Sequence, residues 1–217
     1  MLAFGRDETP EKKLTVINAR GAAKDYSLNV TATKWDIQDI KGIPQKKVTP
    51  SAADQKEIGR ERGDLKKALA DKLNKNYWEK GFVMPVKGRI SGHFGGQRIM
   101  NGRKMNPHQG TDIAAPEGTP VKAASNGIVR LSGGNYFYSG NTVVIDHGHQ
   151  LFTIYAHLKK VSVKAGDYVR QGQVIGEVGK TGRVTGPHLH WGASLNGVRF
   201  TPESLLHMNN ADFCFNL

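Results

Sequence analysis

The chain has 217 residues and carries 31 Lys+Arg against 19 Asp+Glu, a formal net charge of +12, so it is long enough to bury a core and basic enough to seek an anionic partner. The cations are scattered, with no Lys/Arg block and no basic stripe interleaved with aromatics, which argues against nucleic acid and leaves acidic headgroups or an anionic cell-envelope polymer. Its one cysteine, Cys214, excludes an internal disulfide and a cysteine-based zinc site, and no apolar run approaches the roughly 20 residues of a membrane span.

Met1-Leu-Ala-Phe is too short for the apolar core of a signal peptide and is followed at once by Arg6, Asp7 and Glu8. A cytosolic chain and one separated from a leader or anchor are both compatible with that start. Lys13 to Ile17 and Tyr26 to Thr33 alternate polar and apolar residues like half-buried strands, with the turn-prone Gly21 between them. Trp35, Ile37 and Ile40 read as core residues. After Pro44 and Pro50, Ser51 can cap a helix with Asp54 at its third position, and Ile58, Leu65, Leu69 and Leu73 recur at helical steps. The spacing predicts one helix over about 52–75, with its many charges on a solvated face. Gly81 then stops the segment, and the boundary falls near residue 80: an accessory region over 1–80 and a second domain over 81–217.

Beyond Gly81 the texture changes to short β-rich stretches separated by Gly, Pro, Asn and Asp. They run Gly88 to Phe94, Thr111 to Ala115, Pro120 to Ala124, Gly127 to Leu131, Asn141 to Asp146, Gln150 to His157, Gln173 to Val178, His188 to Leu195 and Val198 to Phe200. The expected fold is mostly β, an antiparallel sheet folded into a sandwich or partly open barrel.

All eight histidines lie between His93 and His207. In His188-Leu189-His190 the strand period of two sends both imidazoles to one face and Leu189, with Trp191, to the other. His108 and Asp112 are four apart in a loop entering a strand, and Gly110 lets the backbone fold closely between them. Two histidines and one aspartate are the donor set of a catalytic zinc with a fourth position left open, which implies a hydrolase. Tyr155-Ala-His157 ends another strand-like run. His147 and His149 read as exposed turn residues, His93 as a residue of the cleft rim, and His207 as part of a short terminal helix. A helical HExxH string is absent, which excludes a thermolysin-like site, and Glu177 and Glu203 lack the context of a glutamate base.

The strings HQGTDIAAP (108–116), GTPVKAASNGIV (118–129), VVIDHGHQLFTIYAHL (143–158), VKAGDYVRQGQVIGEVGKTGRVTGPHLHW (163–191) and VRFTP (198–202) resemble the lysostaphin-type, or LytM-like, zinc metallopeptidases, from about Val83 to Pro202. The resemblance implies one zinc per chain held by His108, Asp112 and His190, with His157 and His188 as the two assisting histidines, either of them base or donor. It implies a groove between loops that binds the peptides of peptidoglycan and an endopeptidase activity on their cross-links. The segment DIQDIKGIPQKKVTPS is similar to one that precedes the catalytic domain in Gram-negative relatives, which points to a periplasmic enzyme. A non-catalytic wall-binding or regulatory module of the same fold is the alternative, though such relatives lack ligands that this chain has. The stretch from Val163 to Gly176 also resembles the hammerhead strands of lipoyl carriers, but Lys180 is a poor candidate for modification.

Overall fold

The computed structural model describes residues 1–70 and 73–208. Cys214 and its neighbours Phe213 and Phe215 lie outside the described residues. The first strands are β1 (Glu11–Ile17), β2 (Ala23–Asn29) and β3 (Ile37–Ile40), followed by helices α1 (Gln45–Val48) and α2 (Ala52–Ala68). Next come β4 (Arg89–Gly92), β5 (Gln97–Met100), β6 (Arg103–Lys104), β7 (Thr111–Ala114), β8 (Pro120–Lys122), β9 (Gly127–Tyr136) and β10 (Gly140–Asp146). The last are β11 (Leu151–Leu158), β12 (Lys160–Val161), β13 (Tyr168–Val169), β14 (Val174–Glu177), β15 (His188–Leu195) and β16 (Val198–Phe200), before a 3-10 turn over Pro202–His207.

An eight-stranded antiparallel sheet in the order β13-β9-β10-β11-β15-β7-β4, with β16 beside β15, forms the body. A second sheet, β12-β14-β8, is also antiparallel. The fold is thus mostly β and built of antiparallel sheets, as the alternating stretches predict. A third sheet was not foreseen: β3 pairs in parallel with β5, and β5 with β6, so residues before and after position 80 share hydrogen bonds. The β1-β2 hairpin stands apart.

Every residue of β11 is buried, because both faces of the central sheet are covered. On one face Leu151 and Tyr155 join Ile113, Leu189 and Trp191 in the main core. On the other, Phe152, Ile154 and Val144 meet Leu65 and Ala68 of α2 and Leu69, which caps its C-terminal end. Burying a large apolar side chain contributes about 1.5–3 kcal/mol, enough to fix the helix there. The helix covers only part of this face. His190 and Ala156, paired across β15 and β11, continue the same face where α2 does not reach.

Three expectations need correction. Ser51 caps α2 with the full reciprocal pair to Asp54, but the helix ends at Ala68, well before residue 75. The backbone beyond is used elsewhere: the Leu73 carbonyl accepts from the His149 N–H and the Tyr77 N–H donates to the His147 carbonyl, bonds a continuing helix would not allow. The charges of α2 are not all solvated, since Asp54 and Glu61 are buried. Ile37 is not core but 71% exposed, on the parallel strand β3.

Candidate active site and metal centre

The register of β7 against β15 sets Asp112 opposite His190 and Ala114 opposite His188. Directly opposed residues have Cβ atoms about 4.5–5.5 Å apart, so carboxylate and imidazole meet without bending either strand. Leu189 and Trp191 point the other way and are fully buried, anchoring the two histidines from behind. His108 arrives from the loop before β7, where its N–H donates to the Gly96 carbonyl. The loop passes so close that a Cβ at Gly110 would stand 2.5 Å from the Trp191 carbonyl oxygen and 2.8 Å from His190 Nε2. Only glycine fits between these side chains.

His108 Nε2 lies 2.9 Å from His190 Nδ1 and 3.0 Å from Asp112 Oδ1, and His190 Nδ1 lies 3.0 Å from the same oxygen. Ligand bonds of about 2.0–2.2 Å in tetrahedral geometry would separate ligand atoms by about 3.3 Å, so this triangle is close to what one small cation requires. The surroundings fix which atoms face inward. His108 Nδ1–H donates to the His93 carbonyl, 2.9 Å away, leaving the Nε2 lone pair for the cluster. Asp112 turns Oδ1 to the histidines and gives Oδ2 to the guanidinium of Arg98, itself beside Gln38 of β3. Burial pushes the Asp112 carboxyl up, but the hydrogen bonds and charge of His108 and His190 outweigh it and hold the group well below the usual range. Burial pushes His190 down to about 4. An ionised carboxylate and a neutral His190 are the forms in which these groups bind a divalent metal.

His157 and His188 complete the cluster. Their rings lie 4.8 Å apart, and that of His157 lies 5.9 Å from His190. Strict alternation along β11 would send His157 into the core with Tyr155. Instead the pairing with β10 jumps from Val143↔Tyr155 to Asn141↔Leu158, one extra residue on β11, and His157 adopts φ 66°. This bulge re-aims the imidazole to the face that bears His188 and His190, at a conformational cost that non-glycine residues in the left-handed region carry. His157 Nδ1–H donates to the Thr181 carbonyl and His188 Nδ1–H to the Gly186 carbonyl, each at 2.9 Å, so both present Nε2 as an acceptor. Burial, then repulsion from His188 and His190, keep His157 neutral well below its ordinary pKa.

All five residues singled out by spacing and resemblance therefore meet at one place. His108, His157 and His190 line a groove of about 530 Å³ that is also lined by Val48, Gln55, Arg62 and Leu65, ahead of β4 in the chain. A larger cleft of about 990 Å³, walled by the N-terminal segment, contains none of the five. His93 borders that cleft, and it serves the site through its backbone carbonyl. Arg98 escaped sequence reasoning because it lies 14 residues before Asp112 with no spacing rule to connect them. His147 is not an exposed turn residue but fully buried, between the Asn126 carbonyl and Thr153 Oγ1. His149 does stand exposed in the turn, at φ 50°, and His207 ends the 3-10 turn. Glu203 is taken up by Thr111 and Thr201.

A mostly β fold whose central sheet gathers two histidines and an aspartate in ligand geometry, with two more histidines beside them, defines the class of lysostaphin-like peptidases. The catalytic domain of lysostaphin from Staphylococcus simulans is 34% identical, with a TM-score of 0.50, over 56% of this chain and 93% of that domain. A crystal structure of a family M23 peptidase from Pseudomonas aeruginosa matches 92% of this chain and 75% of that one, with 34% identity and a TM-score of 0.72. The pattern of Peptidase family M23 fits residues 106–202, and the chain belongs to that family. Among curated relatives, the peptidoglycan DD-endopeptidase ShyC of Vibrio cholerae is 38% identical over 154 residues, 66% of this chain. ShyA of the same organism, also a peptidoglycan DD-endopeptidase, is 47% identical over 117 residues, 54% of this chain. The chain spans only 35% and 27% of the length of these two relatives.

Proposed function

We propose that the chain is a metalloendopeptidase that hydrolyses the peptide cross-links of bacterial peptidoglycan, using one zinc ion held by His108, Asp112 and His190. The observation that carries this reading is the convergence of those three ligand atoms within 4.8 Å of one another, beside the acceptor nitrogens of His157 and His188. Two imidazoles and one carboxylate favour zinc over a hard, all-oxygen ion. Zinc held there supplies a Lewis acid that polarises the scissile carbonyl and raises the acidity of water in the open position.

The remaining chemistry belongs to the protein. His157, which burial keeps neutral, and His188 each tie Nδ1 to a backbone carbonyl and leave Nε2 for the site, so either can take the proton of the attacking water and return it to the leaving amine. Once protonated, either stabilises negative charge developing on the carbonyl oxygen. Arg98 holds Asp112 in a one-oxygen ligand geometry. The names of the Vibrio cholerae relatives support peptidoglycan as substrate, and with it the cell envelope as the place of action, which we take to be the periplasm. In this reading residues 81–217 form the peptidase part and residues 1–80 an accessory region that supplies one wall of its groove. A non-catalytic wall-binding module is disfavoured because none of the five side chains is missing.

The test is a digest of purified cross-linked peptidoglycan with and without a chelator, followed by mass analysis. Cleaved cross-links in the untreated arm alone, restored by added zinc, are expected; identical fragments in both arms would overturn the proposal. His188→Ala should retain metal and lose turnover, whereas His190→Ala should lose both.

A further inference from the structure

The groove that His108, His157 and His190 line is also lined by six cationic side chains, Arg62, Arg98, Arg103, Lys104, Arg183 and Arg199, and by no Asp or Glu. Four of them have ordinary explanations. Arg98 is committed to Asp112, and Arg62, Arg103 and Lys104 are exposed on α2 and β6, where water solvates them. Arg183 and Arg199 are different: both are half-buried, and neither forms an ion pair with a described carboxylate.

Their positions bracket the reacting centre. Arg199 stands opposite Ser194 in the β15-β16 pairing, so alternation along β15 puts it on the face that carries His190, Gly192 and Ser194. Gly192 has no side chain, and the space is taken by Arg199, whose terminal nitrogen lies 3.5 Å from where a Cβ would be. Two residues along a strand span about 7 Å, so the guanidinium sits roughly one dipeptide step from His190. Arg183 belongs to the loop that joins Thr181, the partner of His157, to His188. Its N–H donates to the Tyr138 carbonyl and its guanidinium carbon lies 4.3 Å from the centre of the Tyr138 ring. A guanidinium held over an aromatic ring by cation–π attraction uses no N–H donor there and retains them for a bidentate partner. Burial disfavours the charged form of both: Arg199 is pushed down to about 10 with nothing to offset it, and Arg183 is lowered although Tyr138 and the Glu61 carboxylate oppose the shift. A buried cation that no carboxylate pairs with is costly unless a ligand brings a counter-ion.

We propose that Arg199 and Arg183 are carboxylate-binding subsites on either side of the scissile bond, selecting cross-linked peptides with free carboxylates over amidated or neutral ones. The inference rests on the peptidase reading and names what that site would accept. A C-terminal carboxylate and the side-chain carboxylate of a diamino acid offer the same chemistry.

The experiment uses four synthetic versions of one cross-linked stem peptide: unmodified, amidated at the terminal carboxylate, amidated at the side-chain carboxylate, and amidated at both. kcat/KM is measured for each with the zinc-loaded protein, and affinity is measured by fluorescence anisotropy with an uncleavable reduced-bond analogue of each. The unmodified peptide should be preferred over the doubly amidated one by about tenfold or more, the scale of charge-assisted hydrogen bonds. The two singly amidated peptides show which carboxylate is read. Arg199→Gln and Arg183→Gln should each shrink the preference, while Arg199→Lys, which retains charge, keeps part of it. Equal kcat/KM and equal affinity for all four peptides would overturn the subsites and leave the peptidase reading intact. Should none be cleaved, that reading fails, and the affinities still decide whether the groove binds carboxylates.

Discussion

At the scale of single residues, the site depends on one atom's absence. A Cβ at position 110 would collide with the ring of His190 and the carbonyl of Trp191, and the paired backbone of β15 cannot retreat. Gly110→Ala should therefore lower zinc affinity at least tenfold in a competition titration, the size of effect seen when groups that orient a metal ligand are disturbed. Unchanged affinity would mean that the two strands have slack that the close packing denies. The convergence of the three proposed ligands was legible, because the spacings of His108 with Asp112 and His188 with His190 are local patterns that strand geometry converts into shared faces. His157 was only half legible. Its string marks it, but strand period alone would bury it beside Tyr155, and the bulge that turns it outward leaves no trace in residue type. His147 was misread for a related reason: a turn sequence predicts exposure, and only the tertiary cover of Phe82 and the neighbouring strands makes it a core residue.

At the scale of elements, α2 acts on the site through Glu61. This buried carboxylate accepts the Tyr138 N–H, the Ser139 N–H and the Ser139 hydroxyl, at 2.9, 2.9 and 2.7 Å. The Ser139 carbonyl in turn accepts the N–H of His157. A helix ahead of the peptidase strands thereby fixes the loop that holds the bulged histidine. Glu61→Gln keeps the shape but replaces one acceptor oxygen by a donor, so one of the three bonds is lost. Stability should fall by about 1.5–3 kcal/mol in urea unfolding, and kcat should fall with metal content unchanged. Full turnover in a protein so destabilised would show that α2 is only a cover. The helix was foreseen from its cap and its leucine spacing. Its inward carboxylates were not, because a charge on a helix reads as solvated until the partner loop is known.

At the scale of the molecule, one sheet face is divided between the contact with α2 and the open, cation-lined groove, while the opposite face packs the core that holds β15 and β7 in register. That core has a pH limit. Burial pushes His147 down to about 4 from 6.5. Between those values the unfolded chain binds a proton that the native state refuses, so stability is full above about pH 6.5 and is lost as pH falls towards 4, by about 3 kcal/mol from this residue. Urea midpoints between pH 7 and pH 4 should fall accordingly, and His147→Gln should flatten the slope; a flat wild-type profile would contradict the burial of a neutral imidazole. The central claim, that His108, Asp112 and His190 form one metal centre, is tested most directly by anomalous diffraction at the zinc edge from zinc-loaded crystals. The account predicts a single peak about 2.0–2.2 Å from His108 Nε2, Asp112 Oδ1 and His190 Nδ1, with His157 and His188 facing its open side. A peak elsewhere, or a fourth protein ligand closing the open position, would contradict it.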